Sequence, residues 1–405
     1  MKEPKIRFKG FSGEWKKVKL GGIGSWSKGK LLSKDNISEA GIFKCIHYGE
    51  LFTMYDEIIY QVFSKTDLNN GCFSQIGDIL FPDSDVTPTG LARCSSIMET
   101  GVILGGGILI LRPRPQYYSP FISLSVNNEK QQIISRITGT TVRHINATSL
   151  SEIEIVYTEN IAEQQSIASF FTSLDAQISA STSRLVSLKQ MKAASLQAMF
   201  PQEGETVPKV RFRGFEGEWK KVKLGKIGSW SKGKLLSKDN ISETGKFKCI
   251  HYGELFTMYD EIIYQVFSKT DLNNGCFSQI GDILFPDSDV TPTGLARCSS
   301  IMETGVILGG GILILRPRPQ YYSPFISLSV NNEKQQIISR ITGTTVRHIN
   351  ATSLGEIEIV CTENIAEQQS IASFFTSLDR QIALHAKRLE KLKHIKAACL
   401  DKMFV

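Results

Sequence analysis

No run of apolar residues in this chain approaches the ~18 that a membrane-crossing helix needs. Its opening, MKEPKIRFKGF, lacks the charged, apolar and small-residue regions of a secretory signal. The eight cysteines form no C-x-x-C pair, and no histidine stands at metal-ligand spacing from them. Cys45-Ile-His47 comes nearest and lacks partners, so zinc modules are excluded. Free thiols in a cytoplasmic protein without membrane anchor or metal are expected. Charge of one sign is also scarce: 47 Lys and Arg against 40 Asp and Glu leave a net +7, which permits an anionic partner without demanding one.

Catalytic signatures are missing too. GSWSKGKLLS, at Gly24–Ser33, has the G-x-x-x-x-G-K spacing of a phosphate-binding loop. Leu31 stands where that loop needs a Ser or Thr hydroxyl for magnesium, and no sustained helical period follows. A DNA adenine methyltransferase would show an [N/D]-P-P-[Y/F] motif and a Gly-rich cofactor loop, and neither is found. A common metal-dependent nuclease needs clustered acids followed by E-x-K. Asp83 and Asp85 lack that partner, and lone Asp residues in a turn are normally structural.

The chain does contain itself twice. A shift of 204 lays PKIRFKGFSGEWKKVKLG at Pro4 on PKVRFRGFEGEWKKVKLG at Pro208. Such a period is domain-sized, so this is a duplicated module rather than a solenoid. From Ile23 to Leu150 the copies differ only at Ala40/Thr244 and Ile42/Lys246, whereas from Ala176 to Phe200 they differ at thirteen of twenty-five positions.

The variable part is helical. No Pro or Gly interrupts residues 160–200. A heptad stripe runs through Ile167, Phe171, Leu174, Ile178, Leu185, Leu188 and Met199, with Ser181 and Lys192 as polar breaks. The second copy offers Ile371, Phe375, Leu378, Ile382, His385, Leu389, Leu392 and Met403. Two such stripes bury each other most simply as a coiled coil, a rod of roughly 60 Å; separate amphipathic helices are the other reading. Because helix one leads into the second globular region, which feeds helix two, the pair is expected to run antiparallel. Phe171, Leu174, Ile178 and Leu185 are expected to face Phe375, Leu378, Ile382 and Leu389.

The constant part is mixed. GDILFP at Gly77 and GVILGGGILILRP at Gly101 are apolar runs flanked by Gly and Pro, as buried strands are. Gly105–Gly107 reads as a bend between strands. Ser119 followed by Pro120 reads as the cap and first turn of a helix. The fold expected is α+β: two globular α/β domains at opposite ends of a long antiparallel two-helix coiled coil, with pseudo-twofold symmetry. The boundaries expected are a domain at 1–159, a helix at 160–200, a linker and second domain at 201–363, and a second helix at 364–405.

The chain resembles the specificity subunit of type I restriction–modification systems along its whole length. The resemblance rests on RFKGFSGEWKKVKLG opening each half, TGTTVRHINATSLSEIEI closing each globular region, and AEQQSIASFFTSLDAQI opening each helix. KGKLLSKDNIS followed by KCIHYGELFT is similar to one family of target recognition domains. One departure is YTENIAEQQ, where the family has a proline-rich turn; Asn160 is the expected helix cap. The resemblance implies a non-catalytic, cytoplasmic DNA-binding subunit whose two domains each read half of a split target in double-stranded DNA. It implies helices that space the domains and dock two modification (methyltransferase) subunits. Cofactors would belong to partners: S-adenosylmethionine to the modification subunits, ATP and magnesium to restriction subunits, which translocate and cut. Two alternatives stand beside it. One is the reader of a related methyltransferase/nuclease system without separate ATP-driven restriction subunits. The other is an inactive coiled-coil adaptor.

With that resemblance, Lys28, Lys30 and Lys34 (Lys232, Lys234 and Lys238 in the second copy) suit a phosphate backbone. Candidates for base readout are His47, Tyr48, Ser84, Thr87, Thr89 and Arg93, with His251, Tyr252, Ser288, Thr291, Thr293 and Arg297 as their copies. Arg112, Arg114, Arg143 and His144 are phosphate candidates of lower rank. For each, an internal hydrogen bond or salt bridge is the competing reading. Since the copies share these residues, the target is expected to be an interrupted palindrome, with half-site centres roughly 34–36 Å apart or a multiple of that.

Overall fold

The computed structural model describes residues 3–405. It divides into two compact units, one of Met1–Ser183 with Lys387–Val405 and the other of Arg184–Ala386. The dividing points fall inside two 39-residue helices, Ile161–Met199 and Ile365–Met403. Each unit therefore holds one globular region, the first half of the helix that follows it, and the last half of the other helix.

The central sheet of the first unit has five strands, in the order Gly24–Lys28, Ile108–Pro113, Asp78–Pro82, Ser95–Ile97 and Ile58–Ile59. All pairings are antiparallel except the last, which is parallel. DILFP reads as an unbroken apolar run because both faces of its strand are covered. Side chains alternate across a strand: Ile79, Phe81, Leu109 and Leu111 enter one core with Phe121 and Leu124, while Leu80, Ile108 and Ile110 enter another with Ile46, Leu51 and Leu104. A four-stranded sheet, in the order Lys65–Thr66, Phe43–Ile46, Ile103–Leu104 and Cys72–Phe73, lies beyond the second core. The second unit repeats both sheets in the same order. The architecture is thus a repeated α+β domain with mixed sheets and long helices.

Several local expectations hold. Asn160 caps its helix: its Oδ1 accepts from the Ala162 amide at 3.0 Å and the Glu163 amide at 3.3 Å. Gly105–Gly107 joins the strands Ile103–Leu104 and Ile108–Pro113, with Gly107 at φ 87°. The helix Ser119–Asn128 begins one residue earlier than expected, since Tyr118 is its N-cap and Ser119 already lies in the first turn with Pro120. The Tyr118 amide donates instead to buried Gln164 Oε1 at 2.7 Å.

Two of the expected facing pairs are corrected, Phe171 with Phe375 and Leu174 with Leu378. Inside the first unit the Phe171 ring lies 6.1 Å from Phe404, and Asp175 pairs with Lys396 at 2.7 Å. As one number rises the other falls, so the two segments are antiparallel. The partners of Phe171 and Leu174 are then residues of the chain's last turns, whereas Phe375 belongs to the other unit's core. The heptad identified the stripe, not its partner. Phe171, Leu174 and Leu188 are buried, as are Phe375 and Leu378; Ile178, Leu185, Ile382, Leu389 and Leu392 are half-buried.

The globular region grips the helices through buried polar groups as well. Glu163, fully buried, takes a bidentate bond from Arg7, with Nε at 2.7 Å and Nη2 at 2.9 Å. Gln164 Nε2 donates to the Thr158 carbonyl at 2.8 Å. Farther along, Lys396 bridges Glu57 of the domain at 3.1 Å and Asp175 of the first helix at 2.7 Å, with all three side chains mostly buried. Burial works to lower the Lys396 pKa, but the two carboxylates outweigh it and hold it above the usual lysine value. The second unit repeats this with Lys192, Glu261 and Asp379. Removing one member of such a group strands the others, so Lys396→Met should cost about 3 kcal/mol. The triple change Lys396→Met, Glu57→Gln and Asp175→Asn should recover most of that in denaturant unfolding. A triple variant no better than the single one would show that these charges do not hold the domain on the helices.

Candidate nucleic-acid interface

Three loops converge at one edge of the central sheet. The strand Gly24–Lys28 runs into Gly29, which lies so close to the next turn that an added Cβ would sit 2.1 Å from the Gly105 carbonyl oxygen. Only glycine permits that approach. Gly107, two residues on, faces the Tyr48 ring, where a Cβ would meet Tyr48 Cδ1 at 2.9 Å. The Asp83 amide donates to the Gly107 carbonyl at 2.8 Å. The KGK loop, the His47-Tyr48 turn and the loop after Pro82 thus share the Gly105–Gly107 turn as a hub.

Asp83 organises the polar part. Its carboxylate pairs with Lys28 Nζ at 2.6 Å and accepts from Ser84 Oγ at 2.8 Å. Ser84 and Asp85 pair with His144 and Arg143 as a short antiparallel ladder, and an Arg143 guanidinium nitrogen donates to the Val86 carbonyl. Asp85 folds its own turn, accepting from the Val86 amide at 2.7 Å and Thr87 Oγ1 at 2.8 Å. Thr87 caps the short helix Pro88–Leu91 through the Gly90 amide, and Thr89 Oγ1 lies 3.4 Å from Thr87 Oγ1. The aspartates are structural, as the sequence suggested, and Thr87 is spoken for as well.

His47 is half-buried, its ring 4.3 Å from that of Tyr48. Burial lowers its pKa below the usual imidazole value, and nearby Lys34 adds to this against the opposing pull of Glu50. Both effects favour the neutral ring. Nδ1 accepts from the Gly49 amide at 3.3 Å, so in the neutral ring the proton is on Nε2. Lys30 and Lys34 are exposed at the front of the loop. Every one of these features recurs in the second copy, with Lys232 on Asp287 at 2.6 Å and the His251 ring 4.3 Å from Tyr252.

Three arginines stand elsewhere. Arg93, expected to read a base, turns inward: its Nη2 donates to the Tyr55 carbonyl, and its Nε is buried without a partner. It stands beside Glu57, the carboxylate gripped by Lys396, and so supports the helix junction rather than the loop edge. Arg297 does the same in the second copy through Tyr259. Arg112 is held bidentately by fully buried Asp78, at 2.7 and 2.8 Å. Arg114 is exposed past the end of its strand. What the sequence reading missed was Asp83 as the anion that orders the loops; GGG following an apolar run was the available sign of a hub.

Burial pushes the Cys45 thiol up to about 11, far from a reactive thiolate. Among the described residues, no group of three or more His, Cys, Asp or Glu is placed to hold a metal ion, and no helix is long and apolar enough to cross a membrane. What the edge offers is cationic, hydroxyl and aromatic groups on preformed loops, which is the chemistry that meets phosphates and base edges.

Comparison with known proteins agrees. The family model of the type I restriction modification DNA specificity domain matches residues 12–190 and again 216–394. A putative type I specificity subunit of Mycoplasma genitalium is 21% identical over 291 residues, covering 70% of each chain. One of Mycoplasma pneumoniae is 20% identical over 284 residues, covering 70% of this chain and 72% of that one. The crystal structure of a type I restriction-modification S subunit from M. genitalium superposes over 100% of this chain and 99% of that one, with a TM-score of 0.66 at 17% identity. With both halves matched by the family, this chain belongs to the type I restriction–modification specificity subunits, which recognise DNA sequence.

Proposed function

We propose that this chain is the non-catalytic reader of a bipartite target in double-stranded DNA, each domain meeting one half-site through the edge built on Gly105–Gly107 and Gly309–Gly311. The observation that carries the reading is the contrast between the copies. Every side chain at the two edges is the same, while the helices differ at thirteen of the positions from Ala176 to Phe200. Lys30, Lys34, Lys234 and Lys238 are assigned to phosphates; His47, Tyr48, Ser84 and Thr89, with His251, Tyr252, Ser288 and Thr293, face the bases. Lys28 and Lys232 join them by exchanging an aspartate for a phosphate. Thr87 and Thr291 support this surface from behind, while Arg93 and Arg297 are assigned to the helix junction. The helices are assigned to two modification subunits, which would supply S-adenosylmethionine chemistry, and through them to ATP- and magnesium-dependent restriction subunits.

The decisive experiment is reconstitution with modification subunits, followed by sequencing of methylated bases. The isolated chain should transfer no methyl group and cut no DNA; activity in preparations free of other enzymes would overturn the reading. Because the edges are identical, the methylated target should have two equal halves. Two unrelated half-sites would defeat this.

The lysines should act through charge alone. Changing Lys30, Lys34, Lys234 and Lys238 together to Ala should weaken binding to target and non-target duplexes alike. It should also flatten the plot of log affinity against log salt by ~0.9 for each phosphate that is no longer neutralised. A weakening confined to the target would instead make them base readers.

A further inference from the structure

Leu31 is the residue that removed the opening loop from the nucleotide-binding class, and the structure gives it an unusual place. Among the described residues only Leu31 and its copy Leu235 combine a side chain with a positive φ, at 66° and 67°. The Leu32 amide donates back to the Lys30 carbonyl at 2.8 Å, which closes a three-residue γ-turn around Leu31. This is a strained conformation that glycine would adopt freely. The loop has no freedom to relax it. Gly29 is seated on Gly105, and the Lys30 amide is bonded to the Leu104 carbonyl at 3.1 Å. Leu32 is buried with Cys45 and Ile103, and Ser33 with Asn36 forms a closed capping box just beyond.

The strain brings no packing in the free protein. Leu32 does the burying at 2% exposure; Leu31 stands 66% exposed and Leu235 67%. An isolated exposed leucine is ordinary. A leucine fixed outward at a strained tip, with Lys28 and Lys30 before it and Lys34 after it, is not. The ammonium groups can hold phosphates on either side while the isobutyl group reaches past them to what a phosphate backbone encloses.

We propose that Leu31 and Leu235 make the apolar base contact of each recognition domain, so that the γ-turn is a specificity device and not a phosphate cradle. This rests on the DNA-reading function proposed above. The ligand is the apolar surface of a base, reached either as a thymine methyl group in a groove or as the face of an opened base step.

The test uses the full-length chain with its modification subunits, and pairs Leu31→Ala with Leu235→Ala, and Leu31→Gly with Leu235→Gly. The glycine variant relieves the strain, so it should melt at or above the wild-type temperature and remain folded. Each protein selects from a pool of randomised duplexes, and the retained DNA is sequenced. Both variants should keep their affinity for unselected duplex DNA but lose roughly tenfold in preference for the wild-type motif per half-site, at one or two adjacent base pairs. Uracil in place of thymine at those positions, if it weakens wild-type binding, identifies the methyl group. A rise in 2-aminopurine fluorescence there identifies an opened step. If both variants retain the full motif, the inference falls and the reader stands. If the wild-type complex enriches no motif at all, the proposed function falls and takes this inference with it.

Discussion

Each globular region of this protein is closed by a helix end that does not belong to its own half of the repeat. In the first unit, Phe404 stacks on Phe121 at 5.5 Å and meets the edge of Trp15 at 6.1 Å, with Met403 in the same core. In the second, Phe200 takes that place against Phe325 and Trp219. Burying a side chain of this size contributes about 1.5–3 kcal/mol. The helices are held further by the Arg7–Glu163 clasp and by the lysine shared by two carboxylates. The repeat is therefore two modules in sequence, yet each core takes in a helix end from the other half: the first needs residues from the end of the chain, while the second lies within the continuous stretch Arg184–Ala386.

That constraint explains the pattern of divergence along the helices. Leu185/Leu389, Leu188/Leu392, Lys192/Lys396, Leu196/Leu400, Met199/Met403 and Phe200/Phe404 are the same in both copies. The positions that differ are mostly exposed, such as Val186/Glu390, Ser187/Lys391 and Gln190/His394, with Ser181 the buried exception. Difference is tolerated where the helix meets solvent, and sameness persists where it completes a unit. Two helices with the same job inside can thus present different surfaces outside.

Much of this was legible from the residues. The repeat, the helices, the Asn160 cap, the glycine turn and the self-folding Asp85 turn are local features, set by chemistry within a few positions. The misreadings share one cause. Arg93 looked like a base reader because it follows a turn-rich loop, but its acceptor, the Tyr55 carbonyl, lies 38 residues away. Phe171 was matched to Phe375 because the stripes are copies, yet its partner comes from the far end of the chain. Periodicity tells which face is apolar and not what covers it. Leu31 was conspicuous only as the wrong residue for a nucleotide loop; its φ has no signature in sequence, since leucine there is the exception to the rule that glycine fills such positions.

The acids at the candidate interface complete its logic. A reader built of lysines alone would hold any duplex, because phosphate contacts are indifferent to sequence. Here Lys28 is already neutralised by Asp83 at 2.6 Å, and Asp83 is itself fixed by Ser84 and by the Gly107 carbonyl. A phosphate that takes Lys28 must displace or tolerate that carboxylate, which lowers the gain from arbitrary DNA. The same bonds hold Ser84 and the Gly105–Gly107 turn, against which Tyr48 packs, in one arrangement before any partner arrives, so less ordering remains to be done on binding. Discrimination at such a surface comes from making the wrong sequence poor as much as from making the right one good. A chain with a net charge of only +7 spread over 405 residues is consistent with that division of labour.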